Sequence, residues 1–300
     1  MNLRQLKKDA RITLIILMIL GAVPTLAQHK PHSLEISTFN NTNIGLARTD
    51  HMNDYGVQAR LSAQGYYERE PGSGFFYASD LALTKYDVYS NLDRTELSTQ
   101  IGYVRKLGLG FDKPRISASL GMQYRNSASE IRSGWSIAPK IQYSKNISDR
   151  IAINANVLYY RFEAEDRIPI ESGEPGWVWG SDNPTSIQNT QLHLGGEWAM
   201  TPNSYLALDT TYIKGEFSSM ALPSSGLSAY ASAASQDDVC GSTYYNYRYQ
   251  GQGSVLALSF THVFSDSLEA SFRFQRTLVD ADEGNGYGQN ITNFSLSKRF

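Results

Sequence analysis

The chain has 300 residues, with 27 Lys plus Arg, 29 Asp plus Glu and a single cysteine, Cys240. The slight acidic excess argues against nucleic acid as a partner, which would want a basic surface, and one cysteine rules out an internal disulfide. Past position 27 no run of 18 apolar residues occurs, so helical membrane spans are excluded there.

The first element is an export signal. Residues 1–11 (MNLRQLKKDAR) carry Arg4, Lys7, Lys8 and Arg11 against Asp9 alone. The apolar run ITLIILMILGAV follows at 12–23, and PTLA then supplies the small residues Thr25 and Ala27. A basic head, about a dozen apolar residues and a small-residue site describe a signal peptide, 1–27, cleaved after Ala27; an anchor helix needs about 20 apolar residues. Cleavage removes four basic residues and one acidic, leaving a net charge of −5. A short N-terminal segment, 28–32, leads into one domain at 33–300.

From there the texture is period two. In RISASLGMQYRN (115–126), Ile116, Ala118, Leu120, Met122 and Tyr124 share one face, and Arg115, Ser117, Ser119, Gly121, Gln123 and Arg125 the other. Alternate side chains of a strand point to opposite faces, so this is an amphipathic strand. WSIAPKIQYSKN (135–146) and SLEASFRFQRTL (267–278) repeat the pattern. About twelve such strands are predicted, at 33–46, 55–68, 75–88, 94–107, 115–126, 134–146, 150–163, 187–200, 204–217, 249–264, 267–279 and 289–300, each bounded by turn residues.

The connections sort by parity. Those after even-numbered strands are mostly tight, as in ISDRI (147–151), MTPNSYL (200–206) and FSDSL (264–268); the long ones, near 164–186, 218–248 and 280–288, follow odd-numbered strands. Alternating short and long connections build transmembrane up-and-down antiparallel β-barrels of the outer membrane, with short periplasmic turns and longer external loops. The parity puts both termini on the short-turn, periplasmic side. Aromatic residues then fall into two girdles, expected at two lipid interfaces: Tyr143, Trp198, Tyr205, Phe264 and Phe300 at the short-turn rim, and Tyr124, Trp135, Tyr159 and Tyr212 at the long-loop rim. The lipid partners implied are those of an outer membrane, lipopolysaccharide included. A soluble β-sandwich also alternates, but the girdles and the polar second face weigh against it.

The last strand, NFSLSKRF, sets Phe294, Leu296 and Phe300 on one face. It resembles the assembly signal of Gram-negative outer-membrane β-barrels, which implies reading by the barrel-assembly machinery; Lys298 stands where that signal usually has an aromatic. The stretch from about 84 to 217 (KYDVYSNL, RKLGLG, IRSGW, NISDRI) is similar to a set of uncharacterised, porin-like proteobacterial barrels. These motifs are turn and rim residues, and the resemblance implies fold rather than activity.

A search for chemistry finds little. A hydrolase needs a nucleophile beside an oriented base. His193 is followed two positions on by Gly195, and His262 by Phe264, so neither makes a same-strand pair with serine. His193 belongs to the inward face with Glu197; His262 falls on the lipid side near the rim. The segment DADEGNGYG (280–288) offers Asp280, Asp282 and Glu283, but lacks the oxygen ligand and closing Glu of a calcium loop. It reads as an acidic external turn. Trp177 and Trp179 sit on a long loop, where they could stack on a sugar, narrow a pore or pack on the rim. No cofactor is implied.

What remains is the lumen. The inward set holds Arg60, Arg115, Arg125, Lys140, Arg150 and Arg273, with Asp80, Glu96, Glu197, Asp209 and Glu269. Near-balance allows the charges either to pair and plug the interior, with Glu197 or Glu269 as partners of Lys140 and Arg273, or to line a water-filled path. The expectation is a passive porin-like channel for small hydrophilic solutes. The alternative is a non-conducting barrel that displays its external loops. An outer-membrane lipid- or peptide-modifying enzyme is disfavoured by the failed search, and a secretion role by the absence of a helical-repeat domain before residue 33.

Overall fold

A strand with lipid on one side and water on the other must leave no backbone N–H or C=O unpaired in the hydrocarbon, and only a closed sheet achieves this. The computed structural model describes residues 32–48, 51–165, 183–222, 231–237, 239, 243–281 and 286–300; the expected signal peptide, Trp177, Trp179 and Cys240 lie outside them. Among the described residues there are thirteen strands: β1 (His32–Asn41), β2 (Asp54–Glu70), β3 (Ser73–Tyr86), β4 (Arg94–Lys106), β5 (Arg115–Ser127), β6 (Gly134–Ser148), β7 (Ile151–Ala164), β8 (Ile187–Thr201), β9 (Ser204–Ala221), β10 (Ala233–Gln236), β11 (Tyr245–Ser265), β12 (Leu268–Ala281) and β13 (Tyr287–Arg299). All but β10 form a twelve-strand antiparallel cylinder. β9 pairs directly with β11, and β13 returns to β1 with Ser33 opposite Arg299 and Asn41 opposite Ile291. Among the described residues β10 pairs with the top of β11 alone.

The alternation is inside-out relative to a soluble protein. The large exposed side chains include Leu34, Ile36, Leu83, Ile101, Ile141, Val157, Leu194, Leu208, Leu258 and Phe272, while Ser37, Thr84, Ser136, Asn189, Thr277, Ser295 and Ser297 are buried inside. Both aromatic girdles are present. Phe264 and Phe300 are 60% and 69% exposed at the short-turn rim, where Tyr67, Phe75 and Tyr103 extend the girdle over strands whose sequence alternates less regularly. At the other rim Trp135 packs over Tyr124 with centroids 4.6 Å apart. Tyr205 is a correction. Opposite Ala199 and Thr261 in register, it falls in the lumenal set and donates to the Pro202 carbonyl at the mouth, 2.9 Å. Phe300 closes the seam by donating its N–H to the His32 carbonyl at 2.9 Å, and the Lys298 ammonium lies 5.5 Å from its ring. The lysine that departs from the assembly-signal pattern thus covers the aromatic beside it.

Particular residues set local features. Pro139 has no N–H to donate, and the β6–β7 ladder skips there from Ile137 to Lys140. Gly56 lies beneath the inward Phe39 ring, where a Cβ would come within 2.3 Å of that ring; Phe39 meets Tyr86 edge-on across the gap, 5.4 Å between centroids. Three strand ends differ from expectation. β1 stops at Asn41, not 46, because the chain turns inward and Asn43 takes over its hydrogen bonding. β9 runs on to Ala221 and β11 begins at Tyr245, so this hairpin is taller than its predicted 217 and 249 limits. The tight turns 71–72, 149–150, 202–203 and 266–267, and the longer connection 107–114, share one end with the start of β1 and the end of β13. From the opposite strand ends run L1 (42–53), L2 (87–93), L3 (128–133), L4 (165–186), L5 (222–244) and L6 (282–286), each placed only over its described residues.

Candidate functional site: the lumen and its capped mouth

Twelve strands spaced about 4.8 Å apart and tilted about 40° wrap a backbone cylinder of roughly 12 Å radius. What fills it depends on level. At mid-height the wall is Gln100, Ser119, Lys140, Gln142, Asn154, Asn156 and Gln191, all half-buried rather than buried. Short polar side chains on a cylinder this wide do not meet across it, so water reaches them.

The charges fall into separate groups. On β4 and β5, the Glu96 carboxylate accepts from Arg125 Nε at 2.9 Å and faces Arg94 Nε at 3.2 Å, with Gln123 Nε2 donating at 2.9 Å. Arg94 also donates to the Tyr86 hydroxyl, 3.1 Å, and the Arg125 guanidinium lies 5.1 Å from the Phe162 ring. Arg60 on β2 donates to Gln58, 3.1 Å, and Asp80 accepts from Ser62 and Ser98. On the opposite wall Asp209 stands between Arg273 Nη1 (3.6 Å) and His193 Nε2 (3.5 Å), and His193 Nδ1 meets Thr211 Oγ1 at 3.1 Å.

The expected pairs are therefore re-dealt. Arg273 goes to Asp209, and Glu269 takes Arg299 at 2.6 Å. Glu197 is exposed, and no carboxylate pairs with Lys140 among the described residues. Arg115 sits inward at the short-turn mouth, and Arg150 lies in the turn at 149–150 rather than on the wall. Sequence reasoning missed Arg94, although its spacing of two from Glu96 puts both on one face, and also Glu35 and Arg299. It missed a cross-strand pair as well: Ser204 Oγ and His262 Nδ1 are 3.0 Å apart on the lipid side. Ser204 is buried, no carboxylate orients the ring among the described residues, and Phe264 packs edge-on against it. This pair lacks both the access and the third group of a nucleophilic centre.

At the long-loop end the lumen is capped. L1 folds inward. Asn43 is fully buried and donates through Nδ2 to the carbonyls of Ala47 (2.7 Å) and Gly288 (2.9 Å), while Ala47 N–H donates back to its Oδ1. L1 then crosses to β9, where Met220 N–H donates to the Gly45 carbonyl at 2.7 Å. From L3, Arg132 Nη2 reaches Asp237 Oδ1 (2.8 Å) just past β10 and Asn246 Oδ1 (2.8 Å) on β11. Asn183 and Thr185, at the end of L4, both donate to the Ile131 carbonyl in L3. Asp54 fixes L2 by accepting the N–H groups of Val88 and Tyr89. Beneath these segments an apolar cluster of Phe217, Tyr247, Tyr249, Val279 and Tyr287, joined by Leu46 and Ala234, lines the upper wall. No group of metal-binding side chains occurs among the described residues, and the acidic turn at 280–288 lies partly outside them.

A closed antiparallel cylinder with an apolar outside, two aromatic girdles and a polar interior defines an outer-membrane β-barrel, and places the chain in such a membrane. Its fold is shared with solved outer-membrane channels. One is the NanC porin, at a TM-score of 0.51 and 9% identity, covering 89% of this chain and 100% of that one. Another is an outer membrane channel from Pseudomonas putida F1, at 0.60 and 12%, covering 93% of this chain and 97% of that one. The likeness is one of fold. No protein-family model and no curated protein matches the sequence.

Proposed function

We propose that the protein is a passive, porin-like channel for small hydrophilic solutes. The long loops lie outside the cell and the termini in the periplasm. The carrying observation is the mid-lumen wall of half-buried Gln, Ser, Asn and Lys140, which meets no carboxylate among the described residues, on a cylinder too wide for those side chains to fill. Charges remain along the wall, Arg94–Glu96–Arg125 towards the long-loop end and His193–Asp209–Arg273 lower down, as in the lining of a water-filled path. The capped mouth restricts passage to small molecules. Resemblance of the fold to a porin and to an outer membrane channel supports the reading.

The lipid face meets outer-membrane lipid and lipopolysaccharide, and β13 with Phe294, Leu296 and Phe300 is what the assembly machinery reads. Catalysis has no comparable support. Planar-bilayer recording of purified, heat-modifiable protein tests the proposal: discrete conductance steps are expected. Their absence from folded protein would leave the non-conducting display barrel in its place.

A further inference from the structure

Directly under the cap lies a cavity of about 270 Å³, walled by L1, L2, L3, the end of L4 and strands β5, β7, β8, β9, β11 and β13. Most of its lining is apolar, from Ile44, Leu46, Leu92, Phe162, Phe217 and Met220. Segments from around the mouth converge over this chamber, which continues the apolar cluster of the upper wall.

Two guanidinium groups reach its lining. Arg132 is balanced by Asp237, but Arg94 and Arg125 share the carboxylate of Glu96, so that among the described residues Arg125 has only half of a counter-ion. Arg125 spends its Nε on Glu96, and its plane is held near the Phe162 ring, itself part of the lining. Its two Nη groups have no protein acceptor among the described residues. A guanidinium so fixed, with two donors unspent, fits a carboxylate in bidentate fashion.

Size narrows the occupant. A dry cavity of about 150 Å³ holds benzene, so about 270 Å³ holds one ring and a short acidic substituent. Thr185, Ser218, Ser219 and Asn246 add polar groups to part of the wall, but a sugar, polar all round, would still leave hydroxyl groups unpaired against the larger apolar part, at a desolvation cost. We propose that the cavity is a binding site for a small organic monoanion with an apolar body, such as an aromatic monocarboxylate. The site deepens the channel reading by naming a solute class, but it does not need conduction in order to bind.

The probe is phenylacetate, titrated calorimetrically into folded, heat-modifiable protein in detergent micelles, with protein-free micelles subtracted. Its neutral isostere phenylacetamide is measured alongside. Phenylacetate is expected to bind at least tenfold more tightly than phenylacetamide. Arg125→Lys keeps a charge for Glu96 but loses the fork, and should weaken phenylacetate at least tenfold. Ser219→Leu, which fills the cavity without changing charge, should abolish binding. Arg161→Gln removes a cation from the outer face and should leave affinity unchanged. No binding to the wild type, equal binding of the amide, or wild-type affinity in both Arg125→Lys and Ser219→Leu would overturn the site. Bilayer recording separates the two readings. Conductance without phenylacetate binding refutes the site and keeps the channel; binding without conductance does the reverse.

Discussion

Arg132 holds L3 to the inward-folded part of L5, and its replacement by alanine should open the mouth. Asp237 has a side chain with 0% exposure, and that of Arg132 is 14% exposed. Their 2.8 Å contact is therefore a buried ion pair, with Asn246 Nδ2 also donating to Asp237 Oδ1 at 3.0 Å. Removing the guanidinium leaves a buried carboxylate without its cation beside the Tyr247 cluster, a change that costs on the order of 3–5 kcal/mol. The barrel need not unfold to relieve this, because the carboxylate can reach water if segment 231–237 moves outward. A cap equilibrium shifted by that amount moves by a factor of roughly 10² to 10³ or more. In planar bilayers Arg132→Ala should show a larger, longer-lived conducting state than wild type, with heat-modifiability retained. Segment 231–237 should become a site of limited proteolysis. The double change Arg132→Met with Asp237→Leu removes both charges, and well-packed apolar replacement of a buried pair is close to neutral; it should restore the wild-type conductance. Folded Arg132→Ala with unchanged conductance and an unchanged digestion pattern would refute the latch.

Further outcomes are expected. Neutralising Lys140 and Arg273 to Gln should move the reversal potential toward cations with little loss of thermal stability, since Arg273 is 43% exposed and Asp209 keeps His193; a steep drop in melting temperature would mean a packed interior. Surface-accessible tags should label in 222–244 and not at 266–267, and the reverse pattern would invert the orientation. Deleting Phe300, which removes the N–H bound to His32 and a girdle ring, should cut the yield of heat-modifiable protein in outer-membrane fractions far more than Cys240→Ser; equal yields would count against the seam's importance.

Strand positions were legible because lipid imposes one rule on every outward residue. Ile116, Leu120 and Met122 cannot be exchanged with Ser117 or Gln123 without facing the wrong solvent, so alternation fixes both face and boundary. Beyond the lipid the rule lapses, and there the reading went astray. The inward turn after Asn41, the tall β9–β11 hairpin and β10 all lie where Asn43, Arg132 and Asp237, not periodicity, decide the path. Partners across strands were hidden for a different reason. Parity says that Arg273, Asp209, Glu197 and Glu269 point inward, but only register says which of them share a level. Ser204 and His262, 58 residues apart, face each other for the same reason. Tyr205 was misplaced for the opposite reason: four positions before the inward Asp209 it shares that residue's face, so parity itself sets it inward and only its aromatic character suggested the girdle.

The β1–β13 seam has a consequence for how the cylinder comes into being. Every other barrel pair joins strands linked by a single connection, but Ser33 must find Arg299 and Asn41 must find Ile291 across nearly the whole chain. Contacts of such high sequence separation form slowly, after local hairpins. Until then β1 and β13 present two unpaired edges together with their oily outer residues, Leu34 and Ile36 on one and Phe294 and Leu296 on the other. Exposed apolar edges template mispairing and aggregation, so the open sheet needs both edges covered during assembly. Loss of either terminal strand would likewise uncover an edge on each side of the gap, which makes the barrel's tolerance of truncation far lower at its seam than at any loop.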